Sequence, residues 1–136
     1  MKTTLTFSDS LRYEDNPVGI VIPVILDFQG NVTMELAKVD TGAAVCLFRH
    51  EVGARIGLQV EQGSPLTLHT LTGPLDAFGH EVILQTSDNL IFQTMVFFAK
   101  YPGLPRNILG RQGWLRNIRL ALVDYNNQLY VGPIED

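Results

Sequence analysis

The chain has little cysteine for disulfide bonds and no apolar run long enough for a membrane span. Its only cysteine, Cys46, leaves no internal disulfide and no cysteine-rich metal site in 136 residues, so the fold relies on packing, which favours a reducing compartment. The longest apolar runs, such as Val18–Leu26 with its interrupting Pro23, are too short to span a bilayer. No apolar signal-peptide core follows Met1. We therefore expect a cytoplasmic protein without a membrane partner.

Positive charge and histidine are also scarce. Ten Lys and Arg residues against 14 Asp and Glu give a net charge of −4, and no basic cluster exists to follow a phosphate backbone, so nucleic acid is not an expected partner. His50, His69 and His80 form no His-Glu-x-x-His pattern, which argues against zinc. No serine lies in a Gly-x-Ser-x-Gly context, so nucleophilic catalysis is disfavoured.

What the chain does contain is typical of one all-β domain. It is 46% hydrophobic and 18% charged over residues 1–136, enough for a buried core in a single domain. Short runs of Val, Ile, Leu and Phe alternate with Gly, Asn, Asp and Pro, which predicts strands and hairpins. Strands are predicted at Val18–Phe28, Val32–Val39, Leu66–Leu71, Leu75–Leu84, Leu90–Ala99, Ile118–Asp124 and Gln128–Val131.

The turns and helices follow from residues between these runs. Gln29–Asn31 joins the first two strands, and Thr72-Gly73-Pro74 joins the arms of a projecting hairpin. A short helix is predicted over Arg49–Ile56, ended by Gly57. One or two helical turns are expected over Gln112–Asn117.

The sequence Asp40-Thr41-Gly42-Ala43 follows directly after a predicted buried strand. Glycine beside a carboxylate lets the backbone bend tightly so that the acid can approach a partner group. The Thr41 hydroxyl can donate and accept hydrogen bonds, and could brace the loop against a second loop. An ordinary strand-ending turn would use Asp and Gly as well, so this short motif needs its context.

That context is an ordered series: the Asp40 loop, a helix, a projecting hairpin and Asn107-Ile108-Leu109-Gly110-Arg111. With these features the chain resembles the retropepsin family, the single-domain aspartic proteases of retroviruses and their bacterial relatives. The resemblance covers Val18 to Val131 and leaves residues 1–16 as a possible N-terminal arm. Residues 107–111 resemble the family's second signature, and Thr70–Asp76 occupies the position of the flap that covers bound peptide.

The resemblance implies a closed-barrel acid protease fold with one or two short helices, active as a homodimer. Asp-Thr-Gly occurs once, so Asp40 from each of two chains would form the catalytic pair and activate a water to hydrolyse a peptide bond. No metal or cofactor is implied. Thr41 would brace the two loops, and Gly42 would offer backbone groups to the peptide. The implied substrate-binding residues are Lys38, Ala43, Val45, Thr72, Gly73, Arg106 and Ile108.

Two departures from the family pattern leave an alternative open. Ala44 and Val45 stand where the viral enzymes commonly carry an acid that pairs with the arginine of the second signature, here Arg111. The hairpin has one glycine near its tip, Gly73. A catalytically silent peptide-binding or structural module with the same fold would share every feature except the need for Asp40. A β-barrel that binds a small ligand in its mouth is a third possibility, with no residue in its favour.

Overall fold

The computed structural model describes residues 1–135. One α-helix, α1, spans His50–Arg55, and short 3₁₀ turns lie at Val60–Gln62, Leu115–Asn117 and Asp124–Asn126. The ten strands are β1 (Asp9–Arg12), β2 (Val21–Phe28), β3 (Asn31–Val39), β4 (Leu47–Phe48), β5 (Ser64–Thr70), β6 (Gly73–Ser87), β7 (Leu90–Ala99), β8 (Asn107–Leu109), β9 (Ile118–Val123) and β10 (Gln128–Pro133).

Six of these strands close into a barrel. They follow the order β2, β3, β8, β4, β7 and β6, and β6 returns to β2 through the pairs Ile25 with Gln85 and Leu26 with Leu84. Strand β5 extends from the outer edge of β6. The expected all-β closed barrel is confirmed, because every strand edge inside the ring is paired.

The first hairpin is built as predicted. Phe28 pairs with Asn31 across a two-residue turn in which Gln29 and Gly30 have φ of 52° and 88°, the geometry that matches the twist of the two strands. Along β2, the side chains of Ile22, Val24 and Leu26 are buried while the residues between them point outward. Strand β3 returns antiparallel to β2 and ends at Val39, directly before Asp40.

The β5–β6 hairpin differs from the prediction at its turn. Thr70 pairs with Gly73, so the turn residues are Leu71 and Thr72, and the expected Thr72-Gly73-Pro74 turn is wrong. Gly73 supplies a φ of 121° at the first position of β6, and the Thr70 hydroxyl donates to the Gly73 carbonyl at 2.7 Å. Pro74 continues the strand because β7 joins β6 only from Ala77 onward, so its missing N–H is not needed there.

Helix α1 confirms the predicted helix, and its buried residues pack into the core. Val52 and Ile56, which are four positions apart and so lie on the same face of the helix, are fully buried in the core cluster that contains Phe48 and Phe98. Gly57, with φ of 83°, ends the helix and its N–H donates to the Ala54 carbonyl at 3.1 Å. The helical turns expected over Gln112–Asn117 are a single 3₁₀ turn at Leu115–Asn117.

A second, three-stranded sheet joins the two ends of the chain. Strand β1 pairs with β10, which pairs with β9 in the predicted C-terminal hairpin. The buried Tyr13 then donates its hydroxyl hydrogen to Asp124 at 2.5 Å. Residues 9–13, which lie outside the resemblance, therefore pack with the C-terminal strands. In residues 1–135 no helix has the length and apolar character needed to cross a membrane.

Candidate active site

Asp40 lies immediately after β3, where the chain leaves the barrel. Its backbone N–H donates to the Leu109 carbonyl at 2.9 Å, so the start of the loop continues the contact between β3 and β8. Its half-buried carboxylate accepts a hydrogen bond from the Gly42 N–H at 3.0 Å. One carboxylate oxygen is therefore oriented by the loop itself.

The Asp40 loop, residues 40–45, is fastened to the segment after β8 by main-chain hydrogen bonds. The Arg111 N–H donates to the Ala43 carbonyl at 2.8 Å, and the Gln112 N–H donates to the Ala44 carbonyl at 2.9 Å. A Cβ on Gly110 would lie 2.1 Å from the Val45 carbonyl oxygen. Gly110 is therefore required for the approach, and the two sequence signatures lie side by side.

Cys46 lies beneath this contact and is fully buried. The Gly110 N–H points at its Sγ at 3.4 Å. Burial raises the pKa of the Cys46 thiol to about 12, against a smaller opposing contribution from the Gly110 N–H. A thiol that stays protonated is a poor nucleophile, so Cys46 serves packing.

A concavity of about 340 Å³ opens beside Asp40. Five of the residues expected at the site line it, and four lining residues were not expected. The expected residues are Asp40, Gly42, Ala43, Val45 and Ile108, and the others are Ala44, Leu47, Leu68 and His69. Leu68 and His69 come from β5, so the projecting hairpin borders the same space as Asp40. The alternation in β5 was visible in the sequence, but the location of β5 beside Asp40 depends on its pairing with β6 and on the pairing of β6 with β7. Asp40 is the only carboxylate among the lining residues.

Thr41, Thr72 and Gly73 do not line this concavity. Thr41 is exposed, and its hydroxyl has no hydrogen-bond partner among residues 1–135, so it is free to contact another chain. Thr72 faces a second concavity of about 380 Å³ between the hairpin and the Tyr101–Pro105 loop. Gly73 starts β6 at the hairpin turn.

Lys38 and Arg106 line a third concavity, of about 430 Å³, that contains neither Asp40 nor Ile108. Asn107, which the sequence did not single out as functional, holds its wall together. The buried Asn107 amide donates to the Leu36 carbonyl at 2.9 Å and accepts from the Arg49 N–H at 2.9 Å. In the sequence, the only sign of these hydrogen bonds was that a polar residue, Asn107, begins a very short apolar segment.

Arg111 is exposed and forms no ion pair within residues 1–135, in line with the alanine and valine that stand where an acid was expected. No three His, Cys, Asp or Glu side chains of the described chain lie close enough together to hold a metal ion.

Two solved structures similar to this fold are aspartic proteases. A retropepsin-like aspartic protease from Rickettsia conorii is 15% identical with a TM-score of 0.66, and the match covers 91% of this chain and 98% of that one. The EIAV protease complexed with the inhibitor HBY-793 is 20% identical with a TM-score of 0.52, over 67% of this chain and 80% of that one. No protein-family model matches the sequence, and no curated protein matches it. The chain thus has the retropepsin fold, and the resemblance is confirmed at the level of fold.

Proposed function

We propose that the chain is an aspartic endopeptidase that works as a homodimer. The observation that carries the proposal is the half-buried Asp40 carboxylate, oriented by the Gly42 N–H in a concavity that offers no second acid. General acid–base hydrolysis of a peptide bond requires one group to accept a proton from water and another to donate one. A twofold axis supplies the missing group, because it brings Asp40 of a second chain to the first.

The chemistry follows from placing two carboxylates in contact. They do not both ionise readily, so they share one proton and titrate as a coupled pair. The ionised carboxylate takes a proton from a water as that water attacks the scissile carbonyl carbon. The protonated carboxyl donates a hydrogen bond to the carbonyl oxygen, and a proton passes to the leaving amine.

The neighbouring residues fit supporting roles in this scheme. The exposed Thr41 hydroxyl is placed to bond the partner's loop, and the backbone of Gly42 is open to a peptide. Ala43, Val45 and Ile108 give apolar walls beside the carboxylate. The β5–β6 hairpin acts as the flap, with Thr72 and Gly73 at its tip, and its closure excludes water from the peptide. The buried, unpaired Cys46 fits a cytoplasmic location.

Asp40→Asn is the direct test of this function. The variant keeps the side chain's shape but lacks the ionisable group, so hydrolysis of a mixed peptide library should fall by about 10²- to 10⁴-fold. Asp88→Asn is the matched control, since Asp88 is an exposed carboxylate in the β6–β7 turn and its loss should leave hydrolysis unchanged. Cleavage by Asp40→Asn at the wild-type rate would refute the role of Asp40.

Mixing wild-type and Asp40→Asn chains tests the shared site. Random pairing of equal amounts leaves about a quarter of the dimers with two Asp40 carboxylates, so activity should follow the square of the wild-type fraction. A linear dependence would show that one chain suffices. A silent peptide-binding module, which the unpaired Arg111 leaves as the second candidate, would bind peptide in both forms and release no product.

A further inference from the structure

The third concavity carries an imbalance of charge. Three cations, Lys38, Arg49 and Arg106, line it together with one carboxylate, Glu35. Its remaining walls are mostly apolar and come from β3 and from the segments before β2 and β8. A pocket with apolar walls and a few charged groups binds ligands of opposite charge at those groups.

Two of the four charges are already used within the chain. Glu35 binds Arg55 and accepts from the Thr33 hydroxyl. Arg49 pairs with Glu51 at 2.9 Å, and its Nε donates to the Leu104 carbonyl at 3.1 Å.

The side chains of Lys38 and Arg106, in contrast, have no ion-pair or hydrogen-bond partner among residues 1–135. They leave two uncompensated positive charges at one cavity wall. A single carboxylate could contact both, and Arg106 could hold it through two parallel N–H donors.

Lys38 is also placed by packing. A Cβ on Gly19 would lie 3.0 Å from the Lys38 Cε, so the lysine stem rests against the bare Gly19 backbone. Gly19 has a φ of 128° that suits glycine. The Lys38 side chain is half-buried there, while Arg106 is exposed at the rim.

This concavity adjoins the one beside Asp40. Lys38 pairs directly with Ile108, so the two side chains lie on the same face of the β3–β8 pair, and Ile108 lines the Asp40 concavity. Lys38 precedes Asp40 by two residues, a distance of about 7 Å along an extended chain. A peptide side chain one or two residues from a bond cleaved at Asp40 can reach it.

From this geometry we infer that Lys38 and Arg106 bind an Asp or Glu side chain of the peptide substrate, within two residues of the cleaved bond. The inference rests on the proposed endopeptidase function. A twofold dimer presents two such concavities, one from each chain, so an acidic residue is accepted on either side of the bond.

The test is cleavage of a mixed peptide library, with the residues around each cut identified by mass spectrometry. The wild-type protein should cut with Asp and Glu enriched within two residues of the bond. Lys38→Met/Arg106→Gln should lose that enrichment by about tenfold, while Lys2→Gln/Arg116→Gln, which removes two exposed charges elsewhere, should keep it. In the wild type the enrichment should shrink at 1 M salt, where charges are screened beyond about 3 Å.

A charge reversal guards against a simple folding defect. Lys38→Glu/Arg106→Glu should shift the preference toward Lys and Arg if the two positions contact the peptide. Cuts without acidic enrichment, or an enrichment that survives the Lys38 and Arg106 changes, would overturn the inference and leave the protease function standing. If no protein cleaves any peptide, the protease function fails, and the inference falls with it.

Discussion

The Asp40 loop and the tip of the β5–β6 hairpin stand near one concavity, yet they are held in opposite ways. Residues 40–45 are fastened by main-chain hydrogen bonds to Leu109, Arg111 and Gln112, with Gly110 in contact beneath. At the hairpin tip Leu71 is fully exposed, and a Cβ on Gly73 would meet nothing within 4 Å. The Asp40 loop is thus fixed by the barrel, whereas the hairpin tip makes few contacts, and segments with few buried contacts open at a lower free energy.

Gly110→Ala against Gly73→Ala tests this contrast with one substitution in each region. At Gly110 the new methyl would overlap the Val45 carbonyl oxygen, so we expect unfolding free energy to fall by more than about 3 kcal/mol. At Gly73 only the strained φ of 121° matters, costing about 1–3 kcal/mol. Urea unfolding measures both. An equal loss in the two variants would break the comparison.

Asn107→Ala against Thr67→Ala compares side-chain hydrogen bonds of the barrel with one of the β5–β6 hairpin. Truncating Asn107 leaves the Arg49 N–H and the Leu36 carbonyl without their partner in partly buried hydrogen bonds, so we expect a loss of about 2 kcal/mol in the free energy of unfolding. Thr67 bonds Asp76 at 3.0 Å on an exposed face of the hairpin, where water replaces the lost partner and the cost should stay below about 1 kcal/mol. Thermal unfolding at one pH ranks the two; a larger loss for Thr67→Ala would contradict the contrast.

The pH dependence of the free energy of unfolding tests whether Cys46, beneath the Asp40 loop, is closed to water. Burial raises the pKa of Cys46 from 9.0 to about 12, so the folded state holds its proton more tightly than the unfolded state. The stability this gives is complete below pH 9 and is lost between pH 9 and 12, with a loss of about 1.4 kcal/mol by pH 10. Urea unfolding at pH 8 and pH 10 should show this loss in the wild type and not in Cys46→Ala. Equal pH dependence in the two would mean that Cys46 is accessible to water.

Local signals carried the sequence-based predictions that succeeded. The strand Leu90–Ala99 has the predicted bounds, and the helix ends before Gly57 as predicted. The first turn lies at Gln29 and Gly30, within the predicted Gln29–Asn31. The predicted position of the hairpin turn was wrong because proline indicates a turn when the neighbouring strands are not known. Only the absence of a β7 partner before Ala77 makes Pro74 acceptable inside β6.

The candidate site likewise contains residues that are adjacent in sequence and residues that only strand pairing brings together. Asp40, Gly42 and Ala43 lie together because they are adjacent in sequence, and a short motif is enough to find them. Leu68 and His69 reach the same concavity from β5, while Lys38 and Arg106 collect in a separate one. These groupings depend on which strands pair and in what register, which no local pattern specifies.

Local sequence patterns predicted seven of the ten strands, helix α1 and the position of Asp40 directly after a buried strand. Alternation, glycine and turn residues act over a few positions, so they can be interpreted without knowing the rest of the fold. Three features became visible only in the folded chain: Gly110 lets the Asp40 loop approach the segment after β8, residues 9–13 join the C-terminal strands, and Lys38 and Arg106 line one concavity. Those outcomes arise from contacts between distant segments, whose energies depend on the register of the whole barrel.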